Sequence, residues 1–179
     1  MVHLQKANFH AQSIYDIDIS FLVKLERRVI LIDLDNTLSA YNIMVPSAQT
    51  YKLISDLKKS GLIPIIISNN REKRVKTYCS QLQVKYLYST GKPRTKRIKR
   101  FLKDLGIDPL ETILIGDQIL TDLKLGRKLK SITILTEPIS KKDQWTTKIN
   151  RLIDRPLRKH YFKRNMLGRE ADKRKMEEF

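Results

Sequence analysis

The chain has 179 residues, 41% of them hydrophobic, which suits one α/β domain with a proper core plus extensions. Its 36 basic residues against 19 acidic ones give a net charge of +17, so its surface should attract polyanions: nucleic acid, anionic lipid or a phosphorylated substrate. A single cysteine, Cys79, excludes an internal disulfide framework and a cysteine-rich zinc site; no signal peptide opens the chain, and the longest uncharged apolar stretch, 62–70, is too short to cross a bilayer. A cytoplasmic address is the expectation.

In chain order, residues 1–26 are weakly patterned and read as an N-terminal extension packing on the core. Short apolar runs then alternate with segments of helical periodicity, the signature of βαβ units and a parallel sheet. Strands are expected near Val29 to Ile32, Ile63 to Ile67, Val84 to Tyr88, Thr112 to Ile115 and Ser131 to Leu135. Helices should fall between them, near Ser47 to Ser60, Glu72 to Leu82, Pro93 to Leu105 and Thr121 to Leu129. Pro46 and Pro93 suit helix starts, and Gly61 and Gly106 suit helix ends. This core domain is placed at 27–146, followed by a basic tail at 147–179.

In an open parallel sheet ligands sit outside the carboxyl ends of the strands, and those ends are polar here. The apolar run 29–32 closes in Asp33 and Asp35, within LIDLDNTLSAYN (31–42). A carboxylate ending a buried strand needs a cation or hydrogen bonds to meet it. The second strand ends in Ser68, Asn69 and Asn70, the third junction holds Gly91 and Lys92, and the fourth strand ends in Gly116 and Asp117, followed by Asp122. Converging carboxylates, a hydroxyl and a lysine suit phosphoryl transfer with Mg²⁺, a hard cation that takes carboxylate oxygens. Asp33 could serve as nucleophile, Asp35 as general acid and then base, Ser68 and Lys92 as phosphoryl-oxygen partners, and Asp117 as a metal ligand.

DLDNTL (33–38), ISNN (67–70), GKP (91–93) and GDQILTD (116–122) resemble, in order and spacing, the four motifs of the haloacid dehalogenase (HAD) superfamily. With TKINR at 147–151, the pattern is similar to the YqeG family of subclass IIIA HAD phosphatases and to mitochondrial phosphatidylglycerophosphate phosphatases. The resemblance covers roughly Tyr15 to Arg158. It implies a Rossmann-like three-layer fold around a mainly parallel five-stranded sheet, and Mg²⁺-dependent phosphomonoester hydrolysis. It implies Asp33 and Asp35 as catalytic residues and Ser68, Asn69 and Lys92 as phosphate-binding ones. Asp33, Asp35, Asp117 and Asp122 would be the metal ligands. No large cap domain is expected, because residues 38–67 and 69–91 hold only one helix and one strand each. An open pocket suits a phosphate carried on something large or held at a surface.

Competing assignments exist for several of these residues. Ser68 suits an N-cap for the helix beginning near Glu72, Lys92 could belong to the solvated basic face of 92–103, and Asp122 could be a first-turn acid. Cys79, His3, His10 and His160 read as structural or surface residues. Residues 148–164 carry seven basic residues, Lys148, Arg151, Arg155, Arg158, Lys159, Lys163 and Arg164, among Ile149, Leu152, Ile153, Leu157, Tyr161 and Phe162. That composition suits an interfacial segment on anionic lipid, or a helix packed on the domain with a basic outer face. GREADKRKMEEF (168–179) mixes signs and reads as disordered. The leading expectation is a peripheral phosphatase acting on an anionic phospholipid. The alternatives are a nucleic-acid or ribosome-associated phosphatase, or a non-catalytic binding module on the same fold.

Overall fold

The computed structural model describes residues 6–140, 156–160 and 169–171. Among them the chain forms a seven-stranded sheet in the order β4-β3-β2-β5-β6-β1-β7, with every pairing parallel. Five neighbouring strands are those expected from the apolar runs: β2 (Val29–Asp33), β3 (Ile63–Ile67), β4 (Lys85–Leu87), β5 (Thr112–Gly116) and β6 (Ile132–Thr136). Two more lengthen the sheet beyond the expected five. β1 (Phe9–Ala11) lies in the segment read as an extension, and β7 (Arg169–Glu170) lies in the stretch read as disordered. Both join through backbone hydrogen bonds that composition does not report: β1 pairs with β6 and β7 with β1, and the Ala171 amide donates to the His10 carbonyl at 2.8 Å.

Strand parity builds the layers. Alternate residues of a strand point to opposite faces. Ile30 and Ile32 join Ile66, Ile113, Ile115 and Ile134 in one core, with α1 (Ile19–Lys24), α2 (Ala48–Lys59) and α3 (Glu72–Cys79) packed there. Val29 and Leu31 join Ile65, Ile67 and Leu114 in the other, beneath α4 (Lys96–Asp104) and α5 (Lys124–Leu129). Ser47 caps α2 by accepting from the Thr50 amide at 3.2 Å, so Pro46 precedes the cap. Pro93 does not open α4; the helix begins at Lys96, after a turn in which the Arg94 amide donates to the Gly91 carbonyl. The predicted helix near Thr121 resolves into a π-helical turn, Ile119–Leu123, running into α5.

The sheet order reverses at β2, whose neighbours are β3 on one side and β5 on the other. Such a switch point opens a crevice outside the carboxyl ends of the strands. Within the described residues, no domain is inserted between β2 and β3 or between β3 and β4. No helix among them is long and apolar enough to cross a membrane.

Candidate active site

Asp33, the last residue of β2, stands at that switch point and is almost fully buried. Asp117 follows β5 directly, and Asp122 lies on the π-helical turn after it. The three side chains each offer a carboxylate oxygen within 4.8 Å of the others. Lys92 enters the cluster from the β4–α4 junction: its Nζ donates to Asp33 Oδ1 and, at 2.7 Å, to Asp122 Oδ1. Asp122 also accepts from the Gln118 amide at 3.1 Å, and Thr37 Oγ1 donates to Asp117 Oδ1 at 3.3 Å. Lys92 therefore belongs to the cluster and not to the outer face of α4, and Asp122 serves the cluster while also standing, as a first-turn acid, against the N-cap amide of the π-helical turn.

Burial is the main reason that Asp33 is pushed well above the usual aspartate range. Lys92 pulls it down, while Asp122, Asp117 and Asp35 push it further up. Burial opposes the charge on Lys92, yet the attraction of Asp122 and Asp33 outweighs it, and the lysine is held above its ordinary value. Among the described residues, the Lys92 ammonium is thus the buried cation that bonds Asp33 and Asp122. Three buried carboxylates gathered at one point are a donor set that could also hold a cation of the kind that takes hard oxygen ligands.

Asp35 lies two residues beyond Asp33 but is turned to a different set of donors. Ser68 Oγ donates to its Oδ2 at 2.9 Å, and Arg74 Nε donates to its Oδ1 at 3.3 Å. The side chain of Asp35, read from sequence as a metal ligand, stands outside the Asp33, Asp117, Asp122 trio. Ser68 does not cap α3, whose cap position is Arg71; its oxygen accepts from the Asn70 amide while its hydroxyl serves Asp35. Asn69, read from sequence as a phosphate-binding residue, uses its amide to splint the neighbouring loop. Its Oδ1 accepts from the Lys92 amide and from Thr90 Oγ1, both at 2.7 Å, and its Nδ2 donates to the Lys92 carbonyl at 3.1 Å. In this arrangement Asn69 holds the segment from which Lys92 reaches inward.

Three residues of this site carry no signal that sequence reasoning recognises. Arg74, on α3, is buried at 7% exposure, stacks 5.0 Å over the Tyr78 ring and donates to the Ala40 carbonyl as well as to Asp35. Only its helical offset from ISNN hints at this. Arg158 falls, by sequence, among the membrane-facing charges of the tail. Its guanidinium instead donates to the backbone carbonyls of Asp117 and, at 2.9 Å, Thr136, and to Glu137 at 2.7 Å. Tyr15, from the N-terminal segment, donates to the Leu38 carbonyl at 2.6 Å and so ties down the loop after β2. Cys79 is buried away from the cluster's chemistry on α3, and burial pushes its thiol up to about 12. Lys148, Arg151, Arg155, Lys163 and Arg164, like His3, lie outside the described residues.

Residues 89–151, the stretch carrying Lys92, Asp117 and Asp122, match the HAD-hydrolase-like family. A longer alignment of 132 residues at 33% identity with a curated relative covers 73% of this chain and 77% of that one, and the chain accordingly belongs to the HAD-like phosphatases. That relative is the probable phosphatase YqeG of Bacillus subtilis. Two solved structures share the fold at low identity. An uncharacterized protein from Listeria monocytogenes serotype 4b aligns with a TM-score of 0.51 at 15% identity, over 60% of this chain and 76% of that one. The cobalt-bound deoxy-D-mannose-octulosonate 8-phosphate phosphatase YrbI of Haemophilus influenzae aligns with a TM-score of 0.50 at 14% identity, over 62% and 68%.

Proposed function

We propose that this phosphatase is a Mg²⁺-dependent phosphomonoester hydrolase that works through an aspartyl phosphate on Asp33, and that its substrate is an anionic phospholipid bearing a terminal phosphate. Phosphatidylglycerophosphate is the lipid that the family resemblance names. The observation that carries the chemistry is the buried group of Asp33, Asp117 and Asp122 around Lys92 at the switch point. Those three carboxylates would hold the Mg²⁺, and the cobalt bound by YrbI is consistent with a divalent cation in this fold. When bound, the cation would neutralise the acids and polarise the phosphoryl group.

The chain's own residues then have distinct tasks. Lys92 engages Asp33 Oδ1, and Asp33 attacks phosphorus through its other oxygen as the bond to the leaving alcohol breaks. Asp35, in its acid form, gives its proton to that leaving oxygen. In the second half, the Asp35 carboxylate takes a proton from water, the water oxygen attacks phosphorus, and the Asp33–phosphate bond breaks to release inorganic phosphate. Ser68, now bonded to Asp35, can turn its hydroxyl toward a phosphoryl oxygen when substrate enters. The absence of a lid among the described residues and the charge of +17 support a large, anionic carrier of the phosphate.

The test is a substrate panel of phosphatidylglycerophosphate in mixed micelles, 5′-phosphorylated RNA and small sugar phosphates, with the wild type and Asp33→Asn. The lipid should be turned over fastest, EDTA should silence the enzyme, Mg²⁺ should restore it, and Asp33→Asn should be inactive while folded. Preference for RNA ends would replace the lipid reading with the nucleic-acid one. Undiminished turnover after complete metal removal would end the metal assignment.

A further inference from the structure

The loop between β2 and α2 leaves Ile43, Met44 and Val45 exposed at 45%, 38% and 57%. Single exposed apolar residues are ordinary on a protein surface, but three in succession lie open without structural need unless something covers them. The loop is fixed at its base: the Ile43 amide and Arg74 Nη2 both donate to the Ala40 carbonyl, and Arg74 also holds Asp35. A further exposed apolar residue, Ile139, is tied to the same loop, its amide donating to the Asn36 carbonyl at 2.9 Å. Asn36 is the residue after Asp35. Exposed apolar side chains are therefore anchored, through Ala40 and through Asn36, to the segment that follows Asp33 and Asp35 at the carboxyl end of the sheet.

The charge around this rim names its partner. Arg71, directly after Asn70, and Lys73 are exposed at the start of α3, the helix that carries Arg74, with one exposed acid, Glu72, between them, in a chain whose net charge is +17. An apolar tip flanked by basic side chains is the chemistry of an anionic bilayer surface, where the apolar groups enter the headgroup–acyl boundary and the cations meet lipid phosphates. We propose that Ile43, Met44 and Val45, together with Ile139, form an interfacial rim that seats the active-site mouth on an anionic membrane. The proposal rests on the lipid reading above. It adds that the contact surface is part of the catalytic end of the sheet itself, so that a lipid phosphate reaches Asp33 without leaving the membrane plane.

The test uses the full chain and vesicles rich in phosphatidylglycerol. In flotation, replacing Ile43, Met44 and Val45 together by Ser should lower partitioning by at least roughly tenfold, and the remaining binding should vanish in high salt. Hydrolysis of a small soluble phosphomonoester should be unchanged, showing an intact fold. In a Trp145→Phe background, Met44→Trp should shift its emission to the blue on adding vesicles and be quenched by brominated acyl chains. If the triple variant floats like the wild type, or the indole emission of the Met44→Trp variant does not respond to vesicles that bind the protein, the rim is overturned while the lipid reading stands. If the wild type neither floats nor hydrolyses the lipid, the reading beneath it fails as well. A change of oligomeric state in the triple variant without vesicles would assign the rim to a second copy of the chain and overturn the membrane assignment.

Discussion

Asp35, the acid of the proposed mechanism, is held by a single guanidinium, that of Arg74. Arg74 reaches Asp35 through Nε and the Ala40 carbonyl through Nη2, while its Nη1 is buried with no hydrogen-bond partner among the described residues. If Arg74 acts through Asp35, removing it should matter only while Asp35 is present. Arg74→Ala is expected to lower kcat by about tenfold in the wild type and to add little in an Asp35→Asn background, as coupled residues behave in a double-mutant cycle. Equal losses in both backgrounds would make Arg74 a packing residue of α3 alone. Gly116 sets a tighter limit: a Cβ there would lie 2.4 Å from Asp122 Cγ. Gly116→Ala must displace the side chain that Lys92 grips, so it should destabilise the protein by about 1–3 kcal/mol and weaken turnover. Thermal denaturation beside steady-state kinetics will read both effects.

At the scale of elements, the helical segment 156–160 belongs to the site as much as to the tail. Leu157 packs near Ile119 and Leu123, and Arg158 bonds the carbonyls of Asp117 and Thr136. Charge-assisted bonds to backbone carbonyls are stronger than neutral ones and fix a loop's position. Arg158→Gln should therefore reduce turnover of a soluble phosphomonoester, by about tenfold if one such bond is worth about 1.4 kcal/mol in the transition state. Lys159→Gln, altering an exposed neighbour, should leave that activity unchanged. Equal activity of both variants would show that the segment does not support the Asp117 loop. Neutralising the tail as a block would confuse these effects, because one of its arginines holds the chemistry in place.

For the whole molecule, the buried carboxylates Asp33, Asp117 and Asp122 are expected to make stability depend on pH and, where a cation binds them, on metal as well. The pKa of Asp33 is raised in the fold, chiefly by burial. Its contribution to stability is thus fully present below the ordinary aspartate range and is lost as pH rises through the raised value. Lys92, whose own pKa is raised, stays protonated across that window. A cation held by the deprotonated cluster reverses the penalty, so the rise in Tm produced by Mg²⁺ should be larger at about pH 8 than at about pH 5. Differential scanning calorimetry of metal-free protein with and without Mg²⁺ measures this, and an equal rise at both pH values would show that the cation does not compete with the Asp33 proton.

Much of this is written in the chain order. Strands β2 to β6, their parallel pairing and the strand-end positions of Asp33, Ser68 and Asp117 follow from β-branched runs spaced by helical periods, because a parallel sheet needs crossovers and delivers each strand's end to the same edge. The sequence can also place Lys92 and Asp122 near that edge, but not choose between a solvated helix face and a buried pair. That choice needs the fold, since Lys92 meets Asp122 from 30 positions away in the chain and Asp33 from 59. The division of labour between neighbours is likewise hidden: Asn69 splints the Lys92 loop and Asp35 faces Ser68 and Arg74, because backbone direction at the end of a strand, not residue type, decides where a short polar side chain points. The outer strands β1 and β7 escape for a related reason. Each is two or three residues long, too short to show a period, and its pairing is satisfied by a distant partner's amides and carbonyls, which only tertiary structure brings within reach.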